Sequence, residues 1–211
     1  MMLMNPIRVV LIEDDIDWLN IMETIIGNED DIVLVGCGTT KEEAINLSNA
    51  LDHIDIFLVD INLTDNNLDG IYTALELKSS GDWKVLMLTS MSDEDIIQKS
   101  FIAGATDYIL KKDVHKIPHI IRSIYHEPSN PVEVILQDYR RMKSEEQLKD
   151  LTNAEREVYK LIEQGHSRRD IQKKLMKSDN TLKNQIKNIL KKMSVSNSKE
   201  AIRKVKSGGL W

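Results

Sequence analysis

The sequence predicts two structural classes in series: a doubly wound parallel α/β sheet over residues 1–126 and an all-α unit of four short helices over 151–211, joined by a helical linker at 127–150. Three observations carry this. Five short aliphatic runs alternate with segments whose apolar residues recur at helical spacing, the pattern of consecutive βα repeats. Past residue 150 the chain has no such runs, only short helical stripes opened by Ser or Thr. The charge also changes sign along the chain. Residues 1–126 hold 9 basic and 22 acidic side chains, residues 127–150 hold 4 and 6, and residues 151–211 hold 15 and 6, so a total of −6 conceals −13, −2 and +9. Such asymmetry points to two domains with different partners.

Composition excludes several classes. With 41% apolar and 29% charged residues the chain is ordinary for a folded protein, which argues against wholesale disorder. The single cysteine, Cys37, excludes an intrachain disulfide framework and a cysteine-based zinc site. No apolar run approaches the ~20 residues that span a bilayer. The opening Met-Met-Leu-Met, followed by Pro6, is too short for a signal peptide. A cytoplasmic location is expected, with no membrane partner.

The elements follow in order. Strands are expected at Ile7–Ile12, Ile32–Val35, Ile54–Val59, Val85–Leu88 and Tyr108–Leu110, because uninterrupted β-branched and aliphatic runs suit strands buried on both faces. Helical stripes lie between them: Trp18, Leu19, Met22, Ile25 and Ile26; then Ala44, Ile45, Leu47 and Leu51; then Ile71, Ala74, Leu75 and Leu77; then Ile96, Ile97, Phe101 and Ile102; and last Ile117, Ile120, Ile121 and Ile124. Pro118 is tolerable only in the first turn of that last helix. Right-handed crossovers then give an open parallel sheet, whose site lies outside the carboxyl ends of the strands.

The polar residues cluster at those ends. Glu13 and Asp14 follow the first strand, Asp60 ends the third, Thr89 the fourth and Lys111 the fifth. Carboxylates gathered there repel one another and need a counterion. Oxygen ligands favour a hard cation, and a few carboxylates with a carbonyl and waters suit Mg²⁺. With an ammonium from Lys111 and a hydroxyl from Thr89 holding phosphoryl oxygens, a carboxylate can act as nucleophile and become an acyl phosphate. Asp60 is the candidate.

Residues 7–126 resemble the receiver domain of two-component response regulators. The resemblance rests on Glu13-Asp14, on Asp60 in Val-Asp-Ile-Asn-Leu, on Thr89-Ser90 and on Gly104-Ala-Thr-Asp-Tyr-Ile-Leu-Lys111. It implies a flavodoxin-like fold and Asp60 as acceptor of phosphoryl from a histidine kinase. It implies Asp14 as a direct Mg²⁺ ligand, Glu13 acting through water, and the Asn62 carbonyl as a third protein ligand. It also implies a switch in which Thr89 turns toward the phosphoryl group and Tyr108 moves inward; the alternative is that Tyr108 is simply a sheet aromatic. The chain departs from the family pattern in a longer stretch from Asp60 to Gly70, in Thr64 where proline is usual, and in Lys112 after Lys111. That loop, 61–70, bears on phosphorylation rate or lifetime. Asp65, Asn66, Asn67 and Asp69 superficially suggest a calcium loop, but the spacing completes no such motif and fits turn chemistry.

Glu127-Pro-Ser-Asn-Pro131 breaks the chain and marks a boundary. The stripe Val132, Ile135, Leu136, Tyr139, Met142 and Leu148 then predicts an amphipathic linker helix, which either packs on one of the domains or makes a dimer contact.

In the basic third, Thr152 and Glu155 form the sequence of a capping box, Val158, Leu161 and Ile162 line a helix, and Gly165 ends it. Ser167 caps a second helix with Ile171 and Leu175 inward. Ser178 caps a third that runs to about Met193. Two helices joined by a tight turn give a helix-turn-helix. In the third helix Leu182, Ile186, Ile189 and Met193 share one face, which leaves Lys183, Asn184, Lys187 and Asn188 on the other. Lysine and asparagine reach phosphates and base edges in a major groove. Arg168, Arg169, Lys173, Lys174, Lys191 and Lys192 flank this face and suit phosphates. Only Tyr159 and Trp211 are aromatic here, which argues against single-strand recognition by stacking.

Residues 151–205 resemble the output domain of LuxR-type (NarL/FixJ) regulators, on Leu-Thr-x-x-Glu-x-Glu-Val, Gly165, Ser167, Ser178, Thr181-Leu-Lys-Asn184, Asn188-Ile-Leu190 and Lys192-Met193. The resemblance implies that Lys183, Asn184 and Lys187 touch double-stranded DNA. Gln185, Asp170 and Ser198 stand where histidine, glutamate and arginine are common, which bears on the target sequence. The expected protein is a DNA-binding response regulator that dimerises when phosphorylated. Two rivals are a phosphorylation-independent regulator that uses the receiver for dimerisation and a Mg²⁺-dependent phosphatase with Asp60 as nucleophile.

Overall fold

The computed structural model describes residues 5–63, 68–90, 92–126 and 131–210, with the backbone alone at 131–133. The loop at Thr64, Asp65, Asn66 and Asn67, the break at 127–130 and Trp211 lie outside the described residues. The chain divides into two compact units, Met1–Leu136 and Gln137–Trp211.

The first unit alternates strand and helix: β1 (Ile7–Ile12), α1 (Ile16–Gly27), β2 (Ile32–Gly38), α2 (Lys41–Ala50), β3 (Ile56–Asp60), α3 (Asp69–Ser80), β4 (Lys84–Thr89), α4 (Glu94–Ile102), β5 (Asp107–Leu110), a short 3₁₀ turn at Lys111–Lys116, and α5 (Ile117–His126). All strands are parallel, in the order β2-β1-β3-β4-β5. The order reverses between β1 and β3, the place where open α/β sheets bind ligands.

Strand parity sorts the core. Val9, Leu11, Ile56, Leu58, Leu86, Leu88 and Ile109 point to one face and pack with Met22 and Ile26 of α1 and Ile117, Ile121 and Ile124 of α5. Val10, Ile12, Phe57, Val59, Val85 and Met87 carry the opposite parity and are equally buried, and α2 and α3 pack on each other. Both faces are covered, which is why the strands read as unbroken apolar runs. Truncating Leu58, which is fully buried, to Ala would cost about 2–5 kcal/mol.

Four strands differ from the sequence expectation, β4 in taking in Lys84 and Thr89 at its ends. β2 continues past Val35, because after an irregularity at Val9/Val10 its Gly36, Cys37 and Gly38 pair with Val10, Leu11 and Ile12. β3 starts at Ile56 and not at Ile54, because Asp55 turns its carboxylate back to accept from the Arg8 amide at 2.8 Å. β5 takes in Asp107, paired with Leu86. Pro118 sits in the first turn of α5, where its missing N–H costs nothing.

The helix α6 (Pro131–Glu146) spans the division between the units. Of its apolar stripe, Ile135 and Met142 are exposed, while Leu136 and Tyr139 are half-buried. Leu148, beyond the helix, packs on the core of the second unit.

The second unit contains α7 (Asn153–Glu163), α8 (Arg168–Leu175), α9 (Asp179–Lys192) and α10 (Ser198–Lys206). Leu151, Val158, Tyr159, Ile171, Leu182, Ile189, Met193, Ala201 and Val205 form one core. The caps are those the sequence signals. Thr152 and Glu155 form a capping box on α7, Ser167 and Asp170 another on α8, and the Ser178 hydroxyl accepts from the Thr181 amide. Gly165, at φ +79°, lets the chain leave α7 in the left-handed region that side chains avoid.

Candidate phosphoryl site and nucleic-acid face

The parallel topology brings Glu13, Asp60, Thr89 and Lys111 to one edge of the sheet, and all four are buried. Asp14, beside them, is exposed. The Lys111 ammonium lies 2.6 Å from Glu13 Oε2 and donates to Asp60 Oδ2 at 3.1 Å. Carboxylate oxygens of Glu13, Asp14 and Asp60 lie within 4.8 Å of one another. This is an oxygen-only donor set with two buried members, and it fits a hard divalent cation such as Mg²⁺.

Electrostatics follow from burial. Loss of water pushes the Glu13 carboxyl up from 4.5 to about 7, against the pull of Lys111 and with a push from Asp60. Burial also raises Asp60, opposed by the Lys111 charge and by amide hydrogen bonds from Asn62 and Ile61. Burial alone would lower Lys111, but hydrogen bonding to Glu13 and the charges of Asp60 and Glu13 raise it. A buried cluster of two carboxylates and one ammonium is poorly neutralised, and a divalent cation would relieve it.

Two features beside the carboxylates were not singled out by the sequence. Gly70 donates its amide to the Ile61 carbonyl at 3.0 Å, and a Cβ there would stand 1.8 Å from the Asp60 carbonyl oxygen. The only hint was its place at the end of the 61–70 loop. Trp18 reads as one member of the α1 core stripe, yet its ring faces Lys111 Nζ at 5.0 Å from the centroid. No spacing rule connects positions 18 and 111.

Thr89 and Tyr108 share a side-chain hydrogen bond, which opposes the rise that burial imposes on the Tyr108 phenol. Thr89 is fully buried and Tyr108 half-buried.

In the second unit, α9 exposes Lys183, Asn184, Lys187 and Asn188 and turns Leu182 and Ile189 inward. Arg168, Arg169, Lys173, Lys174 and Lys191 are also exposed. Arg168 Nε is 3.4 Å from the Asp179 carboxylate. Lys192, although exposed, donates to Glu155 Oε2 at 2.7 Å. Intramolecular partners therefore occupy Arg168 and Lys192.

The family models agree with both units. Residues 9–122 match the response regulator receiver domain, and residues 149–205 match the bacterial regulatory proteins of the luxR family. The chain belongs to the two-component response regulators with a LuxR-type DNA-binding domain. This regulator is 28% identical over 204 residues to the transcriptional regulatory protein DesR of Bacillus subtilis (strain 168), covering 96% of this chain and 98% of DesR. It is 31% identical over 198 residues to the response regulator protein VraR of Staphylococcus aureus (strain Mu3), covering 92% and 93%. Among solved structures it resembles RcsB of Salmonella typhimurium, with a TM-score of 0.53 at 21% identity over 95% of this chain and 98% of that one. Another similar structure holds two RcsB dimers bound to two parallel DNAs, with a TM-score of 0.51 at 20% identity over 96% and 100%. The phosphatase reading is set aside, because both units match regulator families and DesR is a transcriptional regulatory protein. Among the described residues no helix is long and apolar enough to cross a membrane.

Proposed function

We propose that the regulator accepts a phosphoryl group from a histidine kinase on Asp60 and uses the resulting switch to control dimerisation and binding to double-stranded DNA. The observation that carries this is the buried Asp60 carboxylate, held 3.1 Å from the Lys111 ammonium beside Glu13 and Asp14 at the strand ends. An Asp60 oxygen attacks phosphorus, the bond from phosphorus to the imidazole nitrogen breaks, and the imidazole keeps the electron pair and takes up a proton. Lys111 and the Thr89 hydroxyl hold the transferred oxygens, and the receiver supplies charge and orientation more than covalent chemistry. Glu13, Asp14, Asp60 and the Asn62 carbonyl would hold Mg²⁺. When bound, the cation neutralises negative charge among the phosphoryl oxygens and carboxylates.

The Thr89–Tyr108 hydrogen bond supports the switch assignment. A Thr89 hydroxyl drawn to a phosphoryl oxygen must leave the Tyr108 phenol, and the freed ring changes the surface next to β5. In the second unit, Lys183, Asn184, Lys187 and Asn188 read the major groove, while Arg169, Lys173, Lys174 and Lys191 meet phosphates; Arg168 and Lys192 would have to leave their carboxylate partners Asp179 and Glu155 to join them. Their exposure supports this, and RcsB bound to DNA as dimers supports the dimeric assembly. Transcription control of this kind places the protein with the chromosome in the bacterial cytoplasm.

The test measures mass gain from a small phosphodonor with Mg²⁺ beside sedimentation and DNA affinity. A gain of one phosphoryl group, lost in Asp60→Asn and accompanied by tighter DNA binding, is expected. A wild-type chain that gains no phosphoryl group overturns the reading, and so does an Asp60→Asn chain that still responds to the phosphodonor.

A further inference from the structure

We infer that Trp18 is a positioning residue for Lys111, its indole face holding the ammonium over Asp60 so that phosphoryl transfer begins from an ordered site. The inference rests on the phosphoacceptor role proposed above for Asp60.

The turn from β1 into α1 grips Lys111 from two sides. Glu13 meets the ammonium through Oε2 and accepts the Asp15 amide through Oε1 at 3.3 Å. The Asp15 carboxylate then caps α1, accepting from the Asp17 amide at 2.9 Å and the Trp18 amide at 3.4 Å. This ties the backbone that carries the indole to the same carboxylate that binds Lys111. The ring centroid stands 5.0 Å from Nζ, within cation–π range.

A lysine has a long stem with several rotatable bonds, and side-chain entropy works against any single placement. Asp60 is also the group that reacts, so its contact with Lys111 must change as phosphoryl transfer proceeds, which leaves Glu13 and the indole as the non-reacting neighbours of the ammonium. The indole is uncharged and does not itself react, so its attraction for Nζ does not depend on a free Asp60 carboxylate. It also closes one side of the site: Trp18 is half-buried against the α1–α5 core, and Lys111 remains only 8% exposed.

Plain covering is the competing role, and any large apolar side chain would fill it. The two roles separate by substitution. Trp18→Phe keeps a π face, while Trp18→Leu keeps apolar cover without one. Full-length chains receive acetyl phosphate and MgCl₂, and the acyl phosphate is followed by mass. An Asp60 oxygen attacks phosphorus, the bond to the acetyl oxygen breaks, and acetate leaves with the electron pair.

Wild type gains one phosphoryl group, Trp18→Phe stays near its initial rate, and Trp18→Leu and Trp18→Ala fall by about five- to thirtyfold, the span of a partly desolvated cation–π contact. A second readout needs no metal or donor: the Lys111 Cε protons show an upfield ring-current shift in wild type and Trp18→Phe that is absent in Trp18→Leu. A Trp18→Leu chain as fast as wild type, or Lys111 protons unshifted in wild type, overturns the inference. A wild-type chain that gains no phosphoryl group overturns instead the reading of Asp60 on which it rests.

Discussion

The Lys111 ammonium sits closer to Glu13 (2.6 Å) than to Asp60 (3.1 Å), although both carboxylates are buried. Lys111 is therefore the internal counterion of a carboxylate pair. Replacing it with Met leaves both carboxylates in a dry site without a positive partner. Urea unfolding of metal-free Lys111→Met at pH 8 should show a loss of about 3 kcal/mol, the lower end for breaking a buried pair. At pH 5 the loss should shrink, because protonation of Glu13 removes one of the repelling charges.

The Glu13 carboxyl gives a pH profile with a definite sign. Its value is raised from 4.5 to about 7, mainly by burial. The folded chain thus holds the Glu13 proton more tightly than the unfolded chain. This contribution to stability is fully present below 4.5 and is lost as pH rises through about 7. Asp60 is shifted in the same direction and adds to the slope. Metal-free unfolding across pH 4–8 should show this decline, with a weaker slope in Glu13→Gln. Saturating Mg²⁺ should offset the decline at the alkaline end, since a ligand of the native state stabilises it. A flat metal-free profile would count against the burial argument.

Gly70 offers a test of close packing. Its absent side chain leaves room for the Asp60 carbonyl, 1.8 Å from where a Cβ would stand. Backbone has to move to admit a methyl group there. Gly70→Ala should cost about 1–3 kcal/mol in thermal unfolding. It should also slow phosphoryl gain on Asp60 more than a remote substitution of equal stability cost does.

Much of this was legible in the sequence, for identifiable reasons. Strands covered on both faces must be apolar throughout, so β1 and β4 are visible as runs. Thr152, Ser167 and Ser178 announce helix starts because a cap needs a short side-chain oxygen at that one position. The residues at the sheet edge could be gathered because parallel topology sends every carboxyl end the same way. Contacts between distant side chains were not legible. Nothing local distinguishes Lys192, held by Glu155, from Lys187, which faces outward. The stripe on α6 has helical spacing, but spacing alone does not say that a partner surface covers it.

The two lysines of α9 should separate in experiment. Lys187→Ala should leave unfolding unchanged and reduce the slope of log affinity against log salt by about 1 in DNA titrations. Lys192→Ala should destabilise the second unit by about 1–3 kcal/mol, because Glu155, buried at its side chain, loses a charged donor. Identical behaviour of the two variants in both measurements would contradict this division of labour.

The Glu155 carboxylate closes the capping box of α7 and accepts Lys192 from the end of α9. The first turn of one helix and the last turn of another thus depend on a single group. Helix ends ordinarily fray independently, each on its own timescale. Here, amide hydrogen exchange at the start of α7 and at the end of α9 should follow one shared opening event, making these two termini a cooperative unit within the DNA-binding domain.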